Sequence, residues 1–401
     1  MPANMTENMT GVRDLGVPLR RISPVQDDGQ YFFGYYDLPA FSGDDRFHLA
    51  NRVRFRDRQP RIGETSTLGL IDLESLDFQV LAETAAWNFQ QGSMLQWYPE
   101  GSKTQVLYND YRDSEYCAVI RDLPSGRERL LSRPLAAVSP DGRWGLSINF
   151  NRVYDFRPGY GYNNRPDPWF NDPQPVDDGV FLVDLATGAS CLIISYRQLG
   201  GIYNTAPELR RSKIVVNHIT FNRDSDRFIF LVRTFPEPGA GWQTGIGSAD
   251  LDGRVYLWRP YTYASHYHWQ DGRHLLIHAD AGAGKALYDL TDLSQEARII
   301  AAGYVRQDIH CCYSPDRRLF SGDAYPDHVG YRELFLYSPA ADRGLSLGRF
   351  RSAADSVGDF RCDLHARWNR AGDQISFDST HENRRGIYLL DLRQLRQGDW
   401  A

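Results

Sequence analysis

Short apolar runs alternate with polar turns along the whole chain, and the i, i+3, i+4 spacing of long amphipathic helices is missing. One unit recurs. It begins on an aromatic or apolar anchor, passes through a polar turn with Asp or Gly, and enters an apolar strand. It is read at FSGDDRFHLA from Phe41, WYPEGSKTQVLY from Trp97, VSPDGRWGLSI from Val138 and FNRDSDRFIFLV from Phe221. It returns at WQDGRHLLIHA from Trp269, YSPDRRLFSGD from Tyr313 and WNRAGDQISFD from Trp368. A second unit, a strand ending near Asp, a turn and another strand, follows several copies, as in LGLIDLESLDFQVLA from Leu68, CAVIRDLPSGRERLL from Cys117 and GVFLVDLATGASCLII from Gly179. DLATG and DLPSG are hairpin turns by residue chemistry.

Two hairpins per repeat make a four-stranded sheet. The anchors are spaced by 56, 41, 83, 48, 44 and 55 residues, against about 40–50 for a propeller blade. The pattern therefore predicts an all-β, seven-bladed β-propeller, a single domain over residues 1–401. The long step contains a Pro/Asn/Asp-rich insertion at about 152–178 in blade three. The last copy, ending in GIYLLDL from Gly386, stops after its third strand, and VPLRRISPV from Val17 is expected to supply the fourth. Two separate β-sandwiches would not need seven copies in phase.

Composition narrows the function classes. Aromatic residues make up 13% of the chain, with Gly 35 and Pro 21, which suits strands and turns. A net charge of −6 without Lys/Arg runs longer than a pair argues against a nucleic-acid partner. The segment MPANMTENMTGVRDLG has no secretory signal pattern, and no window of 18 apolar residues exists, so the expectation is a cytoplasmic protein with no membrane partner. Five cysteines fit a reduced protein. The glycines of GAGWQTGIG from Gly239 and of AGAGKA from Ala281 lack phosphate-loop spacing.

Four of the ten histidines share one repeat phase: His218, His266, His310 and His365 each lie three residues before an anchor. The same phase holds Leu38, Met94 and Leu135 in the first three blades. If the innermost strands line the channel, imidazoles from four consecutive blades converge at one height. Strand alternation adds His268, Cys312 and Asp363 to the same face. His266, His310, Asp363 and His365 then form a candidate cage for Zn, Mn or Fe, since neutral imidazoles and a carboxylate suit such ions. A propeller histidine can also serve only cross-blade hydrogen bonds, but four at one phase favour a functional cluster. The aromatics Tyr31, Tyr35, Tyr36, Trp87 and Trp97 could stack on sugar rings, with blade packing as the alternative; Tyr36 is retained as a substrate-binding candidate.

These residues carry a resemblance. The chain resembles the oligogalacturonate lyase family, and more loosely the propeller-type ulvan lyases, over about residues 30–395, most specifically at NHITFNRDSD, SHYHWQDG, IHCCYSPDRRLFSGDAYPD and DLHARWNRAGD. The resemblance implies a channel metal, manganese ahead of zinc, and β-elimination on uronic-acid oligosaccharides. It implies that His218 is the base, that His266 and His365 are metal ligands, and that Asp363 stands where the family has the first histidine of a His-x-His pair. His310 would be a ligand or its support. Two positions depart: Phe360 falls where the family has a ligand glutamine, and Gly179 where it has a catalytic arginine. Arg210 and Arg211, just before the strand of His218, are the nearest substitutes by sequence. Competing readings are a glycan hydrolase on the same propeller, or a propeller that only binds glycan or protein.

Overall fold

The polar turns fold as their residues dictate. In DLATG the Asp184 carboxylate accepts hydrogen bonds from the backbone N–H of Ala186 (2.9 Å) and Thr187 (2.8 Å). Gly188 takes the left-handed conformation (φ +77°) and donates to the Asp184 carbonyl. This turn joins Gly179–Asp184 to Ser190–Ser195, and DLPSG joins Glu115–Asp122 to Glu128–Leu131 in the same way.

The computed structural model describes residues 11–235 and 241–395. The start of the N-terminal segment, and Gly239 and Ala240 of the glycine-rich run, lie outside them. Seven antiparallel sheets form the blades of a propeller. Their first strands are Gln30–Phe32, Gln96–Trp97, Ala137–Val138, Ile214–Phe221, Ala264–Trp269, Ile309–Tyr313 and Arg367–Trp368. Each pairs in turn with the next strands of its own blade.

The ring closes at the termini. Leu19–Arg21 pairs with Gly386–Asp391 and completes blade 7, as the missing fourth strand required. Val12–Arg13 adds a fifth strand to blade 6 by pairing with Arg343–Arg351. Val17 and Ile22 are buried beside these strands, so closure carries hydrophobic as well as backbone contacts.

Two irregular segments position the site. Between Trp144–Ser147 and Gly179–Asp184 of blade 3 the chain forms a helix, Phe150–Phe156, and a 3₁₀ turn, Pro158–Tyr160. Asn149 caps the helix, accepting from the Arg152 N–H at 3.0 Å. The fully buried Arg152 side chain pins the insertion to blade 4 through the Ile214 carbonyl (2.7 Å) and pairs with Asp167 (3.3 Å). In blade 1 the inner strand breaks after Phe32, and the following residues span the channel. Tyr35 there touches histidines of blades 4, 6 and 7, and the Tyr36 hydroxyl donates to the Tyr267 carbonyl of blade 5 (2.9 Å).

Candidate active site

The four histidines at the shared phase meet in the channel. Ring centroids lie 6.1 Å apart for His218 and His266, 4.0 Å for His266 and His310, and 4.4 Å for His310 and His365. All four are buried. The backbone bends to present two of them. The pairing of Ile214–Phe221 slips around His218, which takes φ +55°, and His365 takes φ +46°. A left-handed residue costs about 1–2 kcal/mol. Met94, at the same repeat position in blade 2, takes φ +56°, so the bend does not require a histidine.

Three imidazoles are oriented from behind. Nδ1 of His266 lies 3.1 Å from Asp308, Nδ1 of His310 lies 3.0 Å from Asp323, and Nδ1 of His365 donates to the Gly34 carbonyl at 2.8 Å. Each contact places the proton on Nδ1 and leaves Nε2 with a free lone pair. Nε2 of His310 and of His365 are buried with no hydrogen-bond partner. Their ligand atoms and that of Asp363 all lie within 4.8 Å of one another; His266, beside His310, stands outside that set. An unpartnered buried nitrogen lone pair is costly, and a bound cation would answer it, so this donor set fits a divalent metal.

Asp363 is clamped by two guanidiniums. Arg332 Nη1 lies 2.8 Å from one carboxylate oxygen and Arg361 Nε 2.7 Å from the other, at ion-pair distance but without hydrogen-bond alignment. Burial pushes this carboxyl up, yet Arg361, Arg332 and the adjacent histidines outweigh it and hold Asp363 well below the usual carboxylate range.

His218 stands at the edge of the metal set. Its ring stacks on Tyr35 (5.3 Å), whose hydroxyl lies 3.1 Å from Nδ1, and Tyr160 of the insertion packs edge-on at 5.3 Å. Burial, and then the charge of Arg233, push its pKa well below that of a free imidazole. Burial does the same to His365, and takes His266 down to about 4 against the pull of Asp308. These rings are neutral at pH 7, as ligation and proton abstraction both need.

The other expected residues lie as follows. Tyr36 packs its ring 5.5 Å from His310 and 6.2 Å from His266, with its hydroxyl committed to backbone. Arg210 and Arg211 are exposed before Ile214–Phe221, and neither hydrogen-bonds or ion-pairs with the cluster. His268 and Cys312 do not follow their neighbours. The pairing of Ala264–Trp269 slips between Ala264 and Tyr267, and the two side chains meet each other (3.5 Å) in a separate cavity. Tyr31, Trp87 and Trp97 are packing residues with their polar atoms bound, Trp97 to the Ala40 carbonyl of the neighbouring blade. Phe360 packs against the cluster of Phe32, Trp87 and Phe89. A Cβ on Gly179 would fall 2.1 Å from the Ile194 carbonyl, so no side chain fits there.

Sequence reading missed the supports. Asp308, Asp323, Arg332, Arg361 and Tyr160 surround the histidines, and Arg233 lies buried behind His218. One signal was available: Asp308-Ile309-His310 repeats the spacing of Asp363-Leu364-His365 one blade earlier.

No protein-family model matches the chain, and no curated protein matches it. Solved structures do. The chain is similar in fold to oligogalacturonate lyase. With the enzyme from Vibrio parahaemolyticus the TM-score is 0.68 at 14% identity, covering 98% of this chain and 97% of that one. With an oligogalacturonate lyase in complex with manganese it is 0.68 at 15% identity, with the same coverage. The β-propeller domain of the Trilobed protease from Pyrococcus furiosus is more distant, at 0.50 and 11% identity over 90% of this chain and 96% of that one. At these identities the likeness is one of fold.

Proposed function

We propose that the protein is a divalent-metal-dependent lyase that cleaves uronic-acid oligosaccharides by β-elimination. The observation that carries this reading is the pair of buried, unpartnered Nε2 atoms of His310 and His365 beside Asp363, one imidazole away from the neutral His218. A metal held by His310, His365 and Asp363, with His266 adjacent, would serve as a Lewis acid on the uronate carboxylate. Manganese is the first candidate, since a similar solved structure is a manganese complex.

The remaining roles fall to side chains. β-Elimination removes the proton α to the carboxylate and expels the glycosidic oxygen, which takes a proton from solvent water. His218 takes the first proton, held in orientation by the Tyr35 hydroxyl at 3.1 Å. The developing negative charge needs a second cation. Arg210 and Arg211 were the sequence candidates, but Arg233 is better placed. Its guanidinium is buried, its Nε has no partner, and it is the charge acting most strongly on His218. Arg332, Arg361 and Arg157 are each paired with an aspartate. An unpaired buried guanidinium is unfavourable alone and is offset by a ligand carboxylate.

The test is metal analysis of the purified protein, followed by a screen of uronic-acid oligomers for the ultraviolet absorbance of an unsaturated product. Stoichiometric metal, lost in the His310→Ala, His365→Ala double variant, together with product formation is the expected result. A protein that takes up no divalent metal and forms no unsaturated product from any uronide overturns the reading.

A further inference from the structure

The innermost strands enter the channel at the histidines and leave it at the anchors. Each histidine lies three residues before its anchor, so at ~3.3 Å per residue about 10 Å separates the two levels. At the far mouth, two cavities of about 80 and 150 Å³ share Asp37, Glu100, Arg223 and His268. The larger is also lined by Arg317 of blade 6 and by Arg367 and Arg370 of blade 7; Arg367 is paired with Asp378 at 2.7 Å.

The ion pairs there leave one arginine out. Glu100 answers two of the arginines, with Arg370 at 2.7 Å and Arg223 at 3.2 Å. Asp37, the other acid facing the cavities, accepts from the Thr220 hydroxyl at 3.2 Å. Asp45 on the rim is taken up by the backbone N–H groups of Arg370 and Ala371. Arg317 is half-buried, and its guanidinium makes no hydrogen bond or ion pair among the described residues. Burial and then the charge of Arg223 push its pKa down, against the opposing pull of Glu100.

The backbone at Arg317 is also unfavourable. Four residues beyond each anchor the turns take positive φ in six blades, at Asp45, Gly101, Gly142, Ser225, Arg317 and Gly372. Five of these positions hold Gly, Asp or Ser. Only blade 6 places a long side chain there, with φ +64°. A bulky residue in this region is strained, and glycine would remove both the strain and the repulsion. A residue that breaks two local rules at once, in a cavity, points to a ligand.

We propose that the far mouth of the channel is a second binding site, for a small ligand bearing a phosphate or carboxylate group, gripped by Arg317 with Arg223 and Arg370. Guanidiniums match such oxyanions in geometry and charge. The site stands apart from the histidine cluster and does not depend on the lyase reading.

The test is calorimetric titration of the full-length protein, at fixed ionic strength, with inorganic phosphate and with D-glucuronate. At least one probe is expected to bind with a Kd below about 1 mM. Phosphate alone assigns a phosphate ligand; glucuronate, with or without phosphate, assigns a carboxylate. Arg317→Gly is expected to melt at the same temperature as the parent or higher, yet to bind at least about tenfold more weakly. Arg370→Gln, on the exposed rim, is expected to weaken binding without touching the turn. Arg233→Met, at the other mouth, is expected to leave it intact. The proposal fails if neither probe binds, or if the Arg317 and Arg370 variants bind as the parent does.

Discussion

Replacing Asp323 by Asn tests whether the histidines are arranged for a metal or merely packed. Asp323 is fully buried; one oxygen receives His310 Nδ1 at 3.0 Å and the other the Ala366 N–H at 3.4 Å. Asn keeps the shape and can keep the second contact through its carbonyl. Its NH₂ group then faces Nδ1, which must accept, and the proton moves to Nε2, the atom left free for a ligand. Losing such a support lowers metal affinity about 10–100-fold. At 1.36 kcal/mol per tenfold, that is about 1.4–2.7 kcal/mol. Manganese affinity, measured by competition with a chelator, should fall by that factor, while the apo proteins melt within a few degrees of each other. An Asp323→Asn protein that folds normally and binds manganese within twofold of the parent would refute the orientation argument.

Other expectations follow from the same geometry. His218→Gln should cut formation of unsaturated product by about 10²–10⁴-fold with metal content unchanged, because a general base is lost but no ligand; full activity would exclude it as the base. Buried His381 has its pKa lowered from 6.5 to about 4, so between these values the unfolded chain binds a proton that the folded one rejects. Its contribution is complete above pH 6.5 and is lost as pH falls towards 4, by up to about 3 kcal/mol. Urea midpoints should drop over that window and drop less in His381→Gln; parallel curves for the two proteins would contradict this. Deleting residues 1–22 removes Leu19–Arg21 from blade 7 and the buried Val17 and Ile22. Two such side chains at about 1.5–3 kcal/mol each should lower the urea midpoint clearly; an unchanged midpoint would deny the closure its stabilising role.

The propeller was legible because its signals are local and repeated. An anchor, an Asp or Gly turn and an apolar strand recur seven times, and each copy needs only its own residues to form. The closing strand was legible by counting, since Gly386–Asp391 would otherwise be left as an open edge. The path of blade 1 was not. Nothing local in FGYYDLP announces that the strand stops at Phe32 and that the two tyrosines cross to blades on the far side.

The site divides along the same line. Positions set by repeat phase, His218, His266, His310 and His365, could be grouped because phase on the innermost strand fixes height in the channel. Of the positions set by strand alternation, Asp363 joins His310 and His365, whereas His268 and Cys312 do not. His268 and Cys312 were assigned to the cluster by counting two residues along strands; the ladder slips before His268, whereas Cys312 stays in register two residues nearer its anchor, and both line another cavity. The arginines are the harder case. Arg332, Arg361 and Arg233 come from the third strand of blade 6, the turn before blade 7 and the second strand of blade 4, positions with no shared phase. What collects them is charge. Arg332 and Arg361 are drawn to Asp363, whereas buried Arg233 makes no ion pair among the described residues and its Nε has no partner. Histidines brought together by the fold define where a metal can sit; in the proposed function, buried Arg233 marks where the substrate carboxylate would lie.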